Sequence, residues 1–361
     1  MRCSMSCSEH TGRGGERQAG VADPAGPRTA PGSATARGPA TGSGPATGSS
    51  VSPVAPGELW ALPASIVVVG PTASGKSALA LALARRAGDI ELISADSMQV
   101  YRGLDIGTAK PTPAERAEVR HHVIDLVEPH ESFSVSDFQR EARRAMTEVA
   151  TRGGRCVVVG GTGLYVQALV DELELPGRYL SVRTELELEE DTLALHRRLV
   201  ACDPLAASRM EPANRRRVIR ALEVTLGSGR PFSSFGPGLD NYRPTAHRLI
   251  GLDLPREDLY ARIEQRYHRQ LAEGFLDEIS ELLDASGGLS PTAAQALGYK
   301  ELLVHVRGEQ SLEEALALAI ARTRRFARRQ QRWFRRDPRI AWLDATAVAE
   351  DPIAAAEALL A

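Results

Sequence analysis

The octapeptide Gly70-Pro71-Thr72-Ala73-Ser74-Gly75-Lys76-Ser77, read with its flanks, constrains this chain more than any other feature. It follows the β-branched run Ser65-Ile66-Val67-Val68-Val69 and precedes Ala78-Leu79-Ala80-Leu81-Ala82-Leu83-Ala84, a stretch of strong helix formers. A buried parallel strand, a glycine-rich turn and a helix in that order meet the pattern G-x4-G-K-[ST] in full. Backbone N–H groups of such a turn, together with the helix N-terminus, cradle a phosphate chain. Lys76 adds a mobile positive charge, and the Ser77 hydroxyl is suited to ligating Mg2+. The motif says that a phosphate chain binds and leaves open which one.

Further strands are expected at Ile90 to Ser94, at Arg155 to Val159, and at Leu249 to Leu254. Apolar strands alternating with helices predict an α/β fold: a P-loop NTPase-like parallel sheet with helices on both faces. Ligands in such sheets bind beyond the carboxyl ends of the strands. The pattern changes over residues 178–241, where charged helical segments without strand signals predict a small inserted helical domain. Asn214 is a credible N-cap for a helix through Arg220 to Leu226, closed by Gly227 and Gly229 before Pro231. The core then occupies residues 61–177 and 242–345. Three helices are expected after the last strand, the final one about Leu312 to Arg335 with an apolar stripe at Leu316, Ile320, Thr323, Phe326 and Trp333.

Residues 1–60 are rich in Gly, Pro, Ala, Ser and Thr and carry the tandem repeat GPATGS between Gly38 and Ser49. Such a segment buries too little apolar surface to offset its ordering entropy, so it is expected to be disordered. No apolar core of a secretory signal follows the basic start. Residues 346–361 are expected as a C-terminal tail. No run of ~18 apolar residues suggests a membrane span. The 4 cysteines, Cys3, Cys7, Cys156 and Cys202, are too scattered for a disulfide framework or a zinc site, which favours a reducing, cytoplasmic setting. The net charge of −2 gives no hint of a nucleic-acid partner, yet the arginines are concentrated in a few stretches.

Hydrolytic P-loop enzymes carry an apolar strand that ends in an acidic Mg2+ partner. Here the run Val157-Val158-Val159 ends instead in Gly160-Gly161-Thr162-Gly163, which offers backbone donors and one hydroxyl. The nearest acid is Asp96, at a different strand end. A carboxylate beside a phosphate site and not dedicated to metal suits proton removal from an acceptor nucleophile; the competing reading of Asp96 is a helix N-cap. The pair His121-His122 invites a metal reading, but adjacent residues point apart and no further ligand stands at suitable spacing, so a structural role is expected.

Taken in order, Gly70 to Ser77, Asp96-Ser97-Met98-Gln99, Asp105 to Pro111, His121 to Asp125, Gly160 to Tyr165, Gln295 to Glu301 and Arg329 to Arg335 resemble the tRNA dimethylallyltransferase (tRNA isopentenyltransferase, IPP transferase) family. The resemblance covers about residues 64–345. It implies transfer of dimethylallyl from dimethylallyl diphosphate to N6 of the adenosine 3′-adjacent to the anticodon in tRNA, with release of diphosphate and with Mg2+ as cofactor. The P-loop, Gly70, Pro71, Thr72, Ala73, Ser74, Gly75, Lys76 and Ser77, would then hold the donor's diphosphate, and Arg262 and Arg266 could reach it. Asp96 would be the general base, Lys76 would stabilise the leaving diphosphate, and Thr162 would lie near the reacting amine. The acceptor base must leave its stack, so base flipping is implied.

The same resemblance assigns tRNA contacts to Asp96, Ser97, Met98, Gln99 and Thr162, with Gln99 able to pair bidentately with an adenine edge. It adds Arg183, Arg216, Arg217 and Arg220 in the insertion, then Gly298, Tyr299 and Lys300, and finally Arg328, Arg329, Gln330, Trp333 and Arg335. Without it, arginine-rich helices read first as solvated faces. A monomer without membrane association, whose partners are the anticodon stem-loop of tRNA and the prenyl diphosphate, is the expectation. The alternatives are a P-loop small-molecule or nucleoside kinase, or a free adenylate isopentenyltransferase. The insertion and the basic C-terminal helix count against the latter, because a mononucleotide needs no such reach.

Overall fold

The computed structural model describes residues 65–284 and 288–360. The tail expected over residues 1–60, with Cys3 and Cys7, lies outside the described residues. The chain runs through β1 (Ile66–Val69), α1 (Lys76–Ala87), β2 (Ile90–Ser94), α2 (Pro113–Glu118), β3 (His121–His122), α3 (Val135–Thr151), β4 (Arg155–Gly160) and α4 (Gly163–Val170). Next come α5 (Leu180–Glu187), α6 (Thr192–Cys202), α7 (Pro204–Ser208) and α8 (Arg215–Ser228). It then returns through β5 (Arg248–Asp253) to α9 (Arg256–Ala272), α10 (Phe275–Asp284), α11 (Tyr299–Val306) and α12 (Leu312–Phe334). After α12 come β6 (Ala341–Asp344), α13 (Ala345–Glu350) and α14 (Pro352–Leu360).

The strands form one six-stranded sheet in the order β3-β2-β4-β1-β5-β6, every pairing parallel. Val67, Val68 and Val69 are fully buried, as expected of a central strand covered on both faces. From β1 to β2 the chain moves one way along the sheet, and from β3 to β4 the other way. Right-handed crossovers therefore place α1 and α3 on opposite faces. Leu79 and Leu83 of α1 and Phe138 of α3 are each fully buried in the single large core that results. Burying a side chain of that size contributes roughly 1.5–3 kcal/mol.

β2, β4 and β1 are consecutive in the sheet, with Ser94 beside Val159 and Val69 beside Gly160. The loops after these three strands are therefore neighbours at one carboxyl edge, and they carry Asp96, Gly160 to Gly163 and the P-loop. A separate buried cluster of Leu186, Leu195, Leu199, Val218, Ile219 and Leu222 packs the helices between α4 and β5. The α8 helix begins as expected, with the Asn214 side chain accepting from Arg217 N at 3.3 Å, and ends at Gly229 in the left-handed region.

Several expectations need correction. Residues 346–360 are not a tail but belong to α13 and α14; α14 packs on α1, and Ala345 and Val348 join the main core. The strands β3 and β6 were not expected, and the short α11 makes a fourth helix between β5 and the end of α12. On α12 the buried face is Ala315, Ala319, Ile320, Thr323, Ala327, Gln330 and Phe334, whereas Leu316, Phe326 and Trp333 are half-buried. Small alanines let the helix approach closely, and that shifts the stripe.

Candidate active site

The P-loop turns out of β1 and into α1 through three residues at positive φ, Gly70 (+150°), Ala73 (+64°) and Gly75 (+95°). Gly75 N-caps α1 and brings no side chain, so no capping hydroxyl competes for the first helical amides. Thr72 is held twice. Its N–H donates to Gln330 Oε1 at 2.9 Å, and its Oγ1 accepts from Arg266 Nη1 at 3.0 Å. Lys76 Nζ donates to Pro71 O at 2.7 Å. Burial lowers the Lys76 ammonium to about 8; the neighbouring Asp96 carboxylate works against that fall, and Arg266 adds to it. The Asp96 carboxylate and the Arg266 guanidinium thus both stand within electrostatic reach of Lys76. Burial likewise lowers the Arg266 guanidinium from its ordinary value.

The loop after β4 lies against the loop after β2. A Cβ on Gly160 would stand 2.2 Å from Ala95 O, which explains glycine there. Thr162 Oγ1 accepts from Ser97 N at 3.1 Å and lies 3.4 Å from Ser97 Oγ. Asp96 caps its own turn, Oδ1 accepting from Met98 N at 2.8 Å, and no helix follows it, so the N-cap reading fails. The Gln330 amide completes the join, with Nε2 donating to Gly161 O at 2.8 Å.

Gln99 is already engaged. Its Oε1 accepts from Ser94 Oγ at 2.8 Å, and its Nε2 donates to Ala109 O at 3.2 Å and Thr108 O at 3.4 Å. Bidentate pairing with adenine would require Gln99 to release those carbonyls. The segment Asp105 to Lys110 that supplies them is itself wired in place. Three consecutive N–H groups, of Asp105 (2.9 Å), Ile106 (2.7 Å) and Gly107 (3.2 Å), converge on the Glu278 carboxylate, which also accepts from Tyr299 OH at 2.5 Å. Gly107 O accepts from Arg266 Nη2 at 3.2 Å and from Gln270 Nε2 at 3.1 Å. The buried Lys110 ammonium donates to Tyr101 O (2.8 Å) and Asp125 (2.7 Å) and pairs with Asp105. Sequence reasoning missed Glu278, Gln270 and Lys110. A lone carboxylate in the amphipathic α10 carries no local signal of what it holds.

Two residues expected to touch tRNA are instead interior. Tyr299 is 2% exposed, its phenol spent on Glu278, and burial together with that carboxylate raises its pKa. Gln330 is 7% exposed and spent on Thr72 and Gly161. A third, Arg220, is committed to structure: it donates to Pro176 O (2.8 Å), Gly177 O (3.1 Å) and the buried Glu223 (2.7 Å). Arg183 pairs with Glu187 at 2.8 Å and Glu223 at 3.5 Å.

Arg216 and Arg217 are exposed and without a partner among the described residues, and Lys300 is exposed at the start of α11 after Gly298. On α12, Arg328 donates to Tyr260 OH at 2.8 Å and Arg329 lies over Phe326 at 5.5 Å. Arg335 pairs with Asp253 at 2.5 Å and stacks on Trp342, while Trp333 packs on Gly163 beneath Arg336. Arg262 is half-buried one turn before Arg266, with no partner among the described residues.

In the histidine pair, His122 Nε2 lies 2.6 Å from Glu91, and His121 Nδ1 lies 2.7 Å from Val119 O. Among the described residues no group of His, Cys, Asp and Glu is placed to hold a metal by itself, and no helix is long and apolar enough to cross a membrane.

Fold and site together define an α/β protein with a P-loop beside a carboxylate that belongs to a different strand end. Residues 99–337 match the family described as IPP transferase. The chain is similar to the tRNA dimethylallyltransferase of Geobacter metallireducens, 46% identical over 285 residues that cover 77% of this chain and 92% of the relative. Among solved structures it resembles the tRNA delta(2)-isopentenylpyrophosphate transferase of Staphylococcus epidermidis (TM-score 0.60, 34% identity, 82% of this chain and 98% of that one). It also resembles a eukaryotic dimethylallyltransferase acting on tRNA (TM-score 0.69, 29% identity, 82% of this chain and 78% of that one). The chain belongs to the IPP transferase family.

Proposed function

We propose that this chain transfers the dimethylallyl group of dimethylallyl diphosphate to N6 of the adenosine 3′-adjacent to the anticodon of tRNA. One observation carries the reading most. Asp96, Thr162 and the P-loop stand at three adjacent strand ends, and Lys76 senses the charge of Asp96. A proton acceptor and a cradle for a leaving diphosphate then face one reaction volume.

The donor's diphosphate lies against the loop amides and Lys76, where charge developing on the leaving oxygen meets fixed positive groups. The allylic C–O bond breaks, the N6 nitrogen forms the new C–N bond, Asp96 takes the N6 proton, and diphosphate departs. Thr162, braced on Ser97, keeps the loop after β4 against Asp96 and orients the amine. Arg266 ties Thr72 to Gly107 and brings a second positive charge to the phosphate end. Mg2+ fits this donor set: it takes one or two protein oxygens plus substrate phosphates, and the exposed Ser77 hydroxyl at the start of α1 is the group that would hold it there, neutralising phosphate charge.

The exposed arginines Arg216, Arg217, Arg328, Arg329 and Arg332 are the candidates for tRNA phosphate contacts. The kinase alternative is not favoured, because the relatives matched along most of the chain are named for prenyl transfer to tRNA. The direct test incubates the protein with unmodified tRNA, Mg2+ and dimethylallyl diphosphate, then digests the RNA and weighs its nucleosides. A product adenosine heavier by one dimethylallyl group is expected. Recovery of only unmodified adenosine, with active prenyl donor remaining, refutes the proposal.

A further inference from the structure

The P-loop here is not free along its length. Thr72 is engaged at its amide, which donates to Gln330 Oε1 at 2.9 Å, and at its hydroxyl oxygen, which accepts from Arg266 Nη1 at 3.0 Å. Gln330 belongs to α12 and reaches the loop from the far end of the sequence. It is 7% exposed and pinned at its other end to Gly161 O at 2.8 Å, so it cannot swing aside cheaply. A Cβ on Gly161 would stand 2.2 Å from Gln330 Nε2, so the amide fills the space between the loops after β1 and β4. Farther along the loop, Ala73, Gly75, Lys76 and Ser77 have amides with no protein acceptor among the described residues.

A P-loop reads a polyphosphate in order. The amides nearest the helix hold the inner phosphates, and the lysine and the first half of the loop reach the terminal one. In this chain the first half is capped by a neutral carbonyl oxygen. That oxygen takes up the Thr72 donor and sets an acceptor beside it, which repels any further phosphate oxygen that approaches the same N–H.

Resting on the donor-site reading above, we infer that Gln330 is a specificity-determining residue that limits the P-loop to ligands ending in two phosphates and rejects a third. It acts through the loop, by holding the Thr72 amide, and touches neither the prenyl group nor tRNA.

The test uses the full chain at constant free Mg2+ and measures the binding of inorganic pyrophosphate and of inorganic tripolyphosphate by titration calorimetry. The wild type should bind pyrophosphate at least tenfold more tightly than tripolyphosphate. Gln330→Ala frees the Thr72 amide and opens the space, so it should narrow that ratio at least fivefold while pyrophosphate affinity itself moves less than threefold. Gln330→Asn, one methylene shorter, cannot span Thr72 and Gly161 together and should narrow the ratio in the same direction should the alanine variant not fold. A ratio near one in the wild type, or a ratio unchanged in a folded variant, overturns the inference. Failure of the wild type to bind pyrophosphate, or binding that survives Lys76→Ala unaltered, refutes instead the donor-site reading on which it rests.

Discussion

Replacing Glu278 by glutamine changes one atom yet should be among the most damaging conservative substitutions available to this chain. The carboxylate accepts four hydrogen bonds, two on each oxygen: Asp105 N and Ile106 N on Oε2, Gly107 N and Tyr299 OH on Oε1. An amide offers one acceptor oxygen and, on the other side, an NH2 group that faces two donors. With its oxygen toward Asp105 N and Ile106 N, the amide loses the Gly107 bond outright, the Tyr299 hydroxyl can turn to accept from the NH2 group, and the three bonds that remain are made to a neutral partner. Hydrogen bonds to a charged group contribute about 1.5–3 kcal/mol each. Because Glu278 is half-buried and water can reach part of the site, the lower end applies: about 1.5 kcal/mol for the lost bond and about 0.5 kcal/mol for each of the three that fall to neutral strength give about 3 kcal/mol. At roughly 2 °C per kcal/mol for a chain of this size, the melting temperature should fall by about 6 °C. The loop so loosened presents Gly107 O to Arg266 and the carbonyls of Thr108 and Ala109 to Gln99, so kcat/KM for prenyl transfer should fall as well. Calorimetric melting and steady-state kinetics read the two effects. A variant that melts within 1 °C of the wild type and turns over normally would show that the clamp on residues 105–107 is not a source of order.

Asp96→Asn should lower kcat by ~10²–10⁴-fold with donor affinity nearly unchanged, as measured by single-turnover transfer and by donor titration; near-normal turnover would remove Asp96 as the base. Lys76 is held near 8, below its ordinary value, so its charge is present below that pH and lost as pH rises through it. The kcat/KM for the donor in the free enzyme should accordingly decline above about pH 8, and Lys76→Arg should flatten that limb; a profile level to pH 10 would contradict it. Arg216→Ala combined with Arg217→Ala should raise the KM for tRNA and reduce the salt slope of binding by about two, with donor affinity unaffected, since neither arginine is spent inside the protein. Arg220→Ala should instead lower the melting temperature, because it removes the nearer of the two arginines paired with the buried Glu223.

Much of this was readable from the chain alone because the informative residues are local. The P-loop, the strands at residues 66–69, 90–94 and 155–159, and the cap at Asn214 each declare themselves within a dozen residues. What stayed hidden depends on distant pairing. The strand β3 is two residues long and carries no period, and β6 reads as an ordinary mixed segment. Gln330 and Tyr299 sit in stretches that the family resemblance assigns to tRNA contact, yet each is turned inward by a partner elsewhere: Thr72 for one, Glu278 for the other. Charge density along a helix says which residues are available to a nucleic acid, and only packing says which of them are already taken.

The bond from Gln330 to Thr72 spans 258 positions. A ribosome adding about 5–20 residues per second exposes the phosphate loop some 10–50 s before the helix that completes it. Through that interval the nascent chain presents a loop whose Thr72 amide has no partner and whose join to Gly161 is not made. The finished cradle therefore appears only once α12 has been made, and any product terminated before α12 lacks it.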